Sequence, residues 1–163
     1  MGENNKRTPV DTAVVRDESF QFTKVQSDGL GIQVISAQGV NGQLLIVKDK
    51  APLRITLFKD SIASSLVSGS EENELFNTYR NTNRQRNTRK SQLIKDMRRA
   101  QAETDGIAVE NISAEIKELD DLFVTEKKVI LENEGDKMVS VFALSDLINS
   151  KVLKVEETEK REE

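Results

Sequence analysis

The stretch Val67-Ser68-Gly69-Ser70-Glu71-Glu72-Asn73-Glu74-Leu75 separates two halves of the chain that differ in periodicity. Before it, apolar residues alternate with polar ones or form short runs broken by Gly and Pro, which is typical of strands. After it the period is helical, and no Gly or Pro occurs over residues 71–103. Gly69 permits an unusual backbone turn, and Ser70 can cap the first N–H groups of a helix. This stretch therefore predicts a strand-to-helix junction.

The first half of the chain predicts an antiparallel β-sandwich or open barrel of about six strands. Asp17-Glu18 separates the first two candidate strands, and Asn41-Gly42 is the strongest hairpin signal because this pair adopts positive φ at low cost. The wholly apolar run Leu44-Leu45-Ile46-Val47 predicts a central strand. The candidate strands are residues 10–16, 19–25, 30–37, 44–47, 53–57 and 62–67.

The second half predicts a long helical hairpin and a short third helix, so the fold class is α+β. In the second helix, apolar residues from Ile112 to Ile130 follow the spacing of a helix–helix seam. We expect Asp105-Gly106 to end the first helix and Asn111 or Ser113 to begin the second. The predicted helices lie near 70–104, 111–134 and 138–150. The predicted division is a β-sheet domain over 1–69, a helical region over 70–153 and a charged tail over 154–163.

Composition excludes several classes of function. The chain has no Cys and no His, so it lacks disulfides, thiolate chemistry, the commonest general base and the commonest metal ligand. Its net charge of −4 argues against a wholly basic nucleic-acid binder but permits a local basic patch. No apolar run is long enough to span a bilayer. The sequence therefore predicts no catalytic residue, no metal, no cofactor, no small-molecule substrate and no membrane span.

A basic run in the first helix has two interpretations. Residues 80–99 carry a net charge of +7, whereas residues 110–128 carry −3. The run could bind a nucleic acid or another polyanion. It could instead pair with the acidic second helix inside the hairpin, which we favour because no aromatic residue is interleaved for base stacking. The candidate polyanion-binding residues are Arg80, Arg84, Arg86, Arg89 and Lys90.

The motif Val67-x-Gly69-Ser70-x-x-Asn73 resembles a domain of unknown function found in cell-envelope proteins of Bacteroidetes. In that family the domain precedes the thioredoxin-like module of TlpA/ResA-like thiol-disulfide oxidoreductase lipoproteins. Residues 10–15 followed by Ser19-Phe20-Gln21-Phe22 are similar to the family's first hairpin, although Glu18 replaces its turn glycine. Residues 122–144 are similar to its helical connector. The resemblance implies that Gly69, Ser70 and Asn73 form the structural junction.

This resemblance implies a fragment that lacks the thioredoxin module, which we expect beyond Glu163, so no redox residue is carried over. It also implies a cell-envelope or periplasmic location, although residues 1–6 contain no signal core or lipobox. The predicted function is a non-catalytic interaction module that positions or docks a thioredoxin-like protein partner. The alternative is a polyanion-binding protein that uses residues 80–99. The candidate interaction surface is Phe20, Phe22, Phe76, Tyr79, Leu93 and Met97.

Overall fold

The computed structural model describes residues 9–22, 31–49 and 51–153. In these ranges the chain is α+β, with four short strands followed by three α-helices. The strands are β1 (Gly31–Ile35), β2 (Leu44–Lys48), β3 (Arg54–Thr56) and β4 (Leu66–Ser68), and a 3₁₀ turn (Ile62–Ser64) precedes β4. The helices are α1 (Glu71–Ala102), α2 (Gly106–Asn133) and α3 (Met138–Asn149). No helix among these residues combines the length and apolar character needed to cross a bilayer.

The predicted six-stranded sandwich or barrel is wrong. The strands of the described ranges form two separate antiparallel sheets of two strands, β1–β2 and β3–β4. Residues 10–16 form no strand, and a single bridge between Arg16 and Ser19 closes a turn in which Asp17 and Glu18 have φ of 49° and 59°. In the candidate strand 62–67, residues 62–64 form the 3₁₀ turn, and only residues 66–67 belong to a strand, β4. Residues 23–30 and the predicted tail lie outside the described residues.

The sandwich does not form because α1 and α3 pack on the β1–β2 sheet where a second sheet would have packed. On one face of the β1–β2 sheet, Ile35, Leu44 and Ile46 pack with Ile62 and Val67. On the other face Val47, which is fully buried, joins a second apolar cluster made by the helices. That cluster contains Phe76, Tyr79, Val139 and Ala143. The apolar run predicted as a central strand is therefore covered by α1 and α3 on its Val47 face.

The junction between α1 and α2 differs in detail from the prediction. The left-handed position after α1 is Thr104, with φ of 55°, and not Gly106. Asp105 is the N-cap of α2, because its Oδ1 accepts the N–H of Ala108 at 3.0 Å. The second helix therefore begins at Gly106, five residues before the predicted start near Asn111. A short connection of this kind brings α2 back along α1 as a helical hairpin.

The third helix is positioned by acidic side chains from the first turn of α1. The N–H of Met138 lies at the start of α3 and has no partner within that helix. It donates to Glu72 Oε2 at 3.0 Å. Lys137 Nζ contacts Glu71 Oε2 at 3.0 Å. The ring of Phe142 stacks on Phe76 with 4.7 Å between centroids. The start of α1 thus holds α3 on one side and the β1–β2 sheet on the other. The predicted division into a β-sheet domain over 1–69, a helical region over 70–153 and a charged tail over 154–163 stays a prediction.

Candidate functional site

The junction requires glycine at position 69. Gly69 has φ of +98°, in the left-handed region where other residues are strained. A Cβ atom there would lie 2.7 Å from the carbonyl oxygen of Pro52, closer than such atoms approach. The next residue, Ser70, is the N-cap of α1, and its Oγ accepts the N–H of Asn73 at 3.3 Å. Together these two residues turn the chain from β4 directly into the helix.

Asn73 connects α1 to the edge of β2. Its Oδ1 accepts the N–H of Val47 at 2.9 Å, and its Nδ2 donates to the carbonyl oxygen of Val47 at 2.7 Å. Nδ2 also contacts Ser70 Oγ at 3.2 Å. Val47 is 0% exposed and Asn73 is 1% exposed, so these backbone groups are out of reach of bulk water. The side-chain amide therefore takes the place that a neighbouring strand would occupy.

Three further side chains on the same face of α1 contact the β-sheet half. Asn77 Nδ2 donates to the carbonyl oxygen of Val67 at 2.6 Å. Arg80 donates to the carbonyl oxygens of Leu45, at 3.4 Å, and Ala63, and Arg84 donates to Ser64 Oγ. The spacing of four, three and four residues places these donors along one helix face. We call Asn73, Asn77, Arg80 and Arg84 the α1 polar ladder.

The remaining candidate polyanion-binding residues face α2. Arg86 pairs with Asp120 and lies over the ring of Phe123, 4.1 Å from its centroid. Lys90 Nζ contacts Asp120 Oδ1 at 2.7 Å. Arg89 Nε donates to Glu115 Oε1 at 2.8 Å. Each of the five predicted polyanion-binding side chains thus has a partner within the chain, and the contacts of Arg86, Arg89 and Lys90 with α2 favour the hairpin interpretation of the basic run.

Asp120 is the acceptor shared by two of these cations. Desolvation would raise the pKa of its carboxyl group. The hydrogen bonds and charges of Lys90 and Arg86 outweigh that effect and hold the pKa below its ordinary value. The side chain of Asp120 is 42% exposed, so solvent screens part of the attraction. The arrangement supports the hairpin and leaves the carboxylate ionised above acidic pH.

A buried lysine lies where the three helices meet. Lys127 is 1% exposed, and its Nζ donates to Asn83 Oδ1 at 2.6 Å. The ammonium lies 4.0 Å from the ring centroid of Tyr79 and 4.8 Å from that of Phe123. Asp146 completes the network by accepting from the hydroxyl of Tyr79 and from Asn83 Nδ2, the latter at 3.2 Å.

The buried network shifts the pKa values of Lys127 and Tyr79, and both shifts are consistent with a structural role. Burial lowers the pKa of Lys127 below the ordinary lysine value, against the raising effect of Asp146 and Glu126. Burial, reinforced by the hydrogen bond to Asp146, raises the pKa of Tyr79 well above its ordinary value. Tyr79 therefore stays protonated, and its hydroxyl remains a donor to the carboxylate. The ammonium of Lys127 is held by two rings and an amide.

The candidate interaction surface lies mostly inside the protein. Phe76 and Leu93 are each 2% exposed, and Tyr79 is 7% exposed. Met97 and Phe20 are half-buried. Phe22 is 36% exposed and meets the ring of Phe20 edge-on, with 5.6 Å between centroids. The apolar stripe of the first helix is thus used for internal packing against α2, α3 and β2.

A groove of about 310 Å³ lies between α1, α2 and the start of α3, and its lining includes Leu75, Tyr79, Val129, Ile130 and Val139. In the part of the chain that the structure describes, no three Asp or Glu side chains come together as a group able to hold a metal ion.

The α1 polar ladder and the burial of Lys127 are not among the features predicted from the sequence. The spacing of Asn73, Asn77, Arg80 and Arg84 is nevertheless a signal that the sequence carries. Comparison of the chain with protein-family models, curated proteins and solved structures gave no match.

Proposed function

We propose that this chain is a non-catalytic interaction module of the cell envelope that holds a thioredoxin-like protein partner in a fixed position. The observation that carries the proposal is the double attachment of α1. Its polar ladder binds the sheet half, while Arg86, Arg89 and Lys90 bind α2. A helix attached on both sides makes a rigid spacer. The identity of the partner and the location rest on the resemblance of the Val67–Asn73 segment.

The buried polar side chains hydrogen-bond to one another, which supports a structural role for them. The buried ammonium of Lys127, the carboxylate of Asp146 and the hydroxyl of Tyr79 satisfy one another within the core. Arg80, Arg86, Arg89 and Lys90 of the basic run contact a carbonyl oxygen or carboxylates of the same chain. Groups that serve the fold in this way are not free to bind or transform a substrate.

The sheet half offers a more accessible docking surface than the stripe of the first helix. Phe58 is 42% exposed and Leu66 is 50% exposed, and they flank the 3₁₀ turn on either side. Phe22, from the original candidate surface, is also exposed. Exposed aromatic and aliphatic side chains of this kind are the usual anchors of protein interfaces. We therefore assign the partner contact to Phe58 and Leu66, with Phe22 as a further candidate.

Isothermal titration of the chain with a purified thioredoxin-like module of the disulfide-reductase type tests this function. We expect saturable binding that the double substitution Phe58→Ala and Leu66→Ala weakens by about tenfold or more. The matched control is Ile94→Ala, which removes an exposed apolar side chain from the opposite half of the chain. Binding that is absent, or that is equally sensitive to the control, would refute the proposal.

A further inference from the structure

An apolar stripe of exposed side chains runs along α2. Ile107 is 76% exposed, Leu122 is 52% exposed and Val129 is 45% exposed, and Ala114 between them is also exposed. Successive members are seven, eight and seven residues apart, and seven residues make close to two helical turns. These four side chains therefore lie on one face of the helix. We call them the α2 outer stripe.

Four exposed charged residues follow the α2 outer stripe along one of its edges. They alternate in sign along the helix and are Glu110, Lys117, Asp121 and Lys128. Lys117 and Asp121 form an ion pair within the helix at 3.1 Å, yet their side chains remain 79% and 68% exposed. Both can thus accept a second partner from outside the chain.

The stripe and its charged edge are both self-complementary. When two copies of a helix pack antiparallel about a two-fold axis, residues equally far from the axis on opposite sides face each other. An axis near residue 118 places Ile107 opposite Val129 and Ala114 opposite Leu122. The same axis, within one residue, places Glu110 opposite Lys128 and Lys117 opposite Asp121. Four ion pairs would therefore flank a seam of these apolar pairs, which Glu118 interrupts at the axis.

We propose that the α2 outer stripe binds a second copy of this chain, with the two α2 helices packed antiparallel about an axis near Glu118. The match of both apolar and charged residues about one axis is what identifies the occupant as a second copy. The two Glu118 side chains meet near the axis and repel each other, so the dimer is weak. This interface is separate from Phe58 and Leu66, and the inference does not depend on the proposed function.

Sedimentation equilibrium of the full chain over a wide concentration range tests the dimer. We expect a reversible monomer–dimer equilibrium. Lys128→Glu should raise the dissociation constant about tenfold, because the introduced carboxylate faces Glu110 of the second copy. Adding Glu110→Lys to that variant should restore the wild-type constant. Glu118→Leu should lower the dissociation constant about tenfold or more by removing the repulsion at the axis.

The control is Lys95→Glu, the same charge change at an exposed position on α1. It should leave the dissociation constant unchanged, and circular dichroism should confirm that every variant keeps its helix content. A chain that stays monomeric at all concentrations would overturn the inference. A dimer that responds equally to Lys128→Glu and Lys95→Glu, or that the charge exchange fails to restore, would also overturn it.

Discussion

The side-chain amide of Asn73 hydrogen-bonds to both backbone polar groups of Val47, at 2.9 Å to the nitrogen and 2.7 Å to the oxygen. These two residues are 26 positions apart, one in the first turn of α1 and the other in β2. Both are buried. The pair therefore joins the sheet half to the helical half at a place that solvent does not reach.

Asn73→Ala should destabilise the fold by about 2–4 kcal/mol, because it leaves the buried N–H and carbonyl oxygen of Val47 without partners. Urea unfolding followed by circular dichroism measures this free energy. The control is Gln85→Ala, which truncates an exposed amide on the same helix and should change the stability by less than about 0.5 kcal/mol. Equal effects of the two substitutions would contradict the assigned role of Asn73.

Gly69→Ala and Gly106→Ala should have opposite effects. At Gly69 the positive φ and the nearby oxygen of Pro52 make alanine unfavourable by about 1–3 kcal/mol. At Gly106, the first residue of α2, a Cβ meets no atom within 4 Å. Alanine there should be neutral or stabilising by about 0.5 kcal/mol. Thermal unfolding of both variants checks this, and a loss of stability at Gly106 larger than at Gly69 would refute it.

Asp120→Asn should cost about 1 kcal/mol at neutral pH, a figure kept small because the carboxylate is partly exposed. Since the pKa of Asp120 is lower in the folded protein, its contribution is fully present above the ordinary Asp value of 3.8. It is lost as the pH falls through the folded-state value. Urea unfolding at several pH values should therefore show the difference between wild type and variant shrinking below pH 3.8. A difference that grows with acidity would contradict this.

Lys127→Ala should destabilise the fold by about 2–4 kcal/mol because it opens a cavity, whereas Lys127→Met should cost about 1.5 kcal/mol or less. The methionine fills the space and removes a buried charge, although Asn83 loses its donor. Burial lowers the pKa of Lys127 in the folded state, so the unfolded chain binds the proton more readily between that value and 10.5. Wild type should therefore gain stability relative to Lys127→Met as the pH rises through this window, measured by urea unfolding. Equal costs for the two variants would show that packing is not the main contribution.

Heparin chromatography should show only weak retention, because the five candidate polyanion-binding side chains from Arg80 to Lys90 already have partners within the chain. Arg89→Ala, at a side chain that is 51% exposed, should elute at the same salt concentration as wild type. A polyanion-binding helix would instead release counterions, and loss of one phosphate contact would lower the salt concentration needed for elution. Strong retention that Arg89→Ala weakens would restore the polyanion alternative.

The helical half was predictable because its signals are local. A cap at Ser70, a long segment without Gly or Pro, and the Ile112–Ile130 seam each act within one helix or between two neighbours. The charge complementarity of the hairpin was also readable, since Arg86 and Asp120 lie on segments of opposite charge. The start of α2 was misplaced because Asp105-Gly106 can end one helix or begin the next.

The sheet half was not predictable to the same degree because strand partners are non-local. Alternation at residues 53–57 indicates an extended segment but does not say what covers it. In this protein α1 and α3 cover the Val47 face of the β1–β2 sheet. At Val47 the side-chain amide of Asn73 makes the backbone hydrogen bonds that a neighbouring strand would make. The buried Lys127 was hidden for a related reason. A lysine in a charged helix suggests solvent exposure, and only the tertiary arrangement places two aromatic rings around it.

The central claim is that α1 joins both halves into one rigid body through Asn73. Native-state hydrogen exchange at the backbone N–H of Val47 tests it most directly. We expect this amide to be protected about as strongly as the core amides of α1 in the wild-type chain. In Asn73→Ala its protection should fall about tenfold or more beyond the loss that the core amides of α1 show, which follows the lower stability of the whole fold. Rapid exchange of Val47 in the wild type, or protection that Asn73→Ala leaves unchanged, would contradict the account.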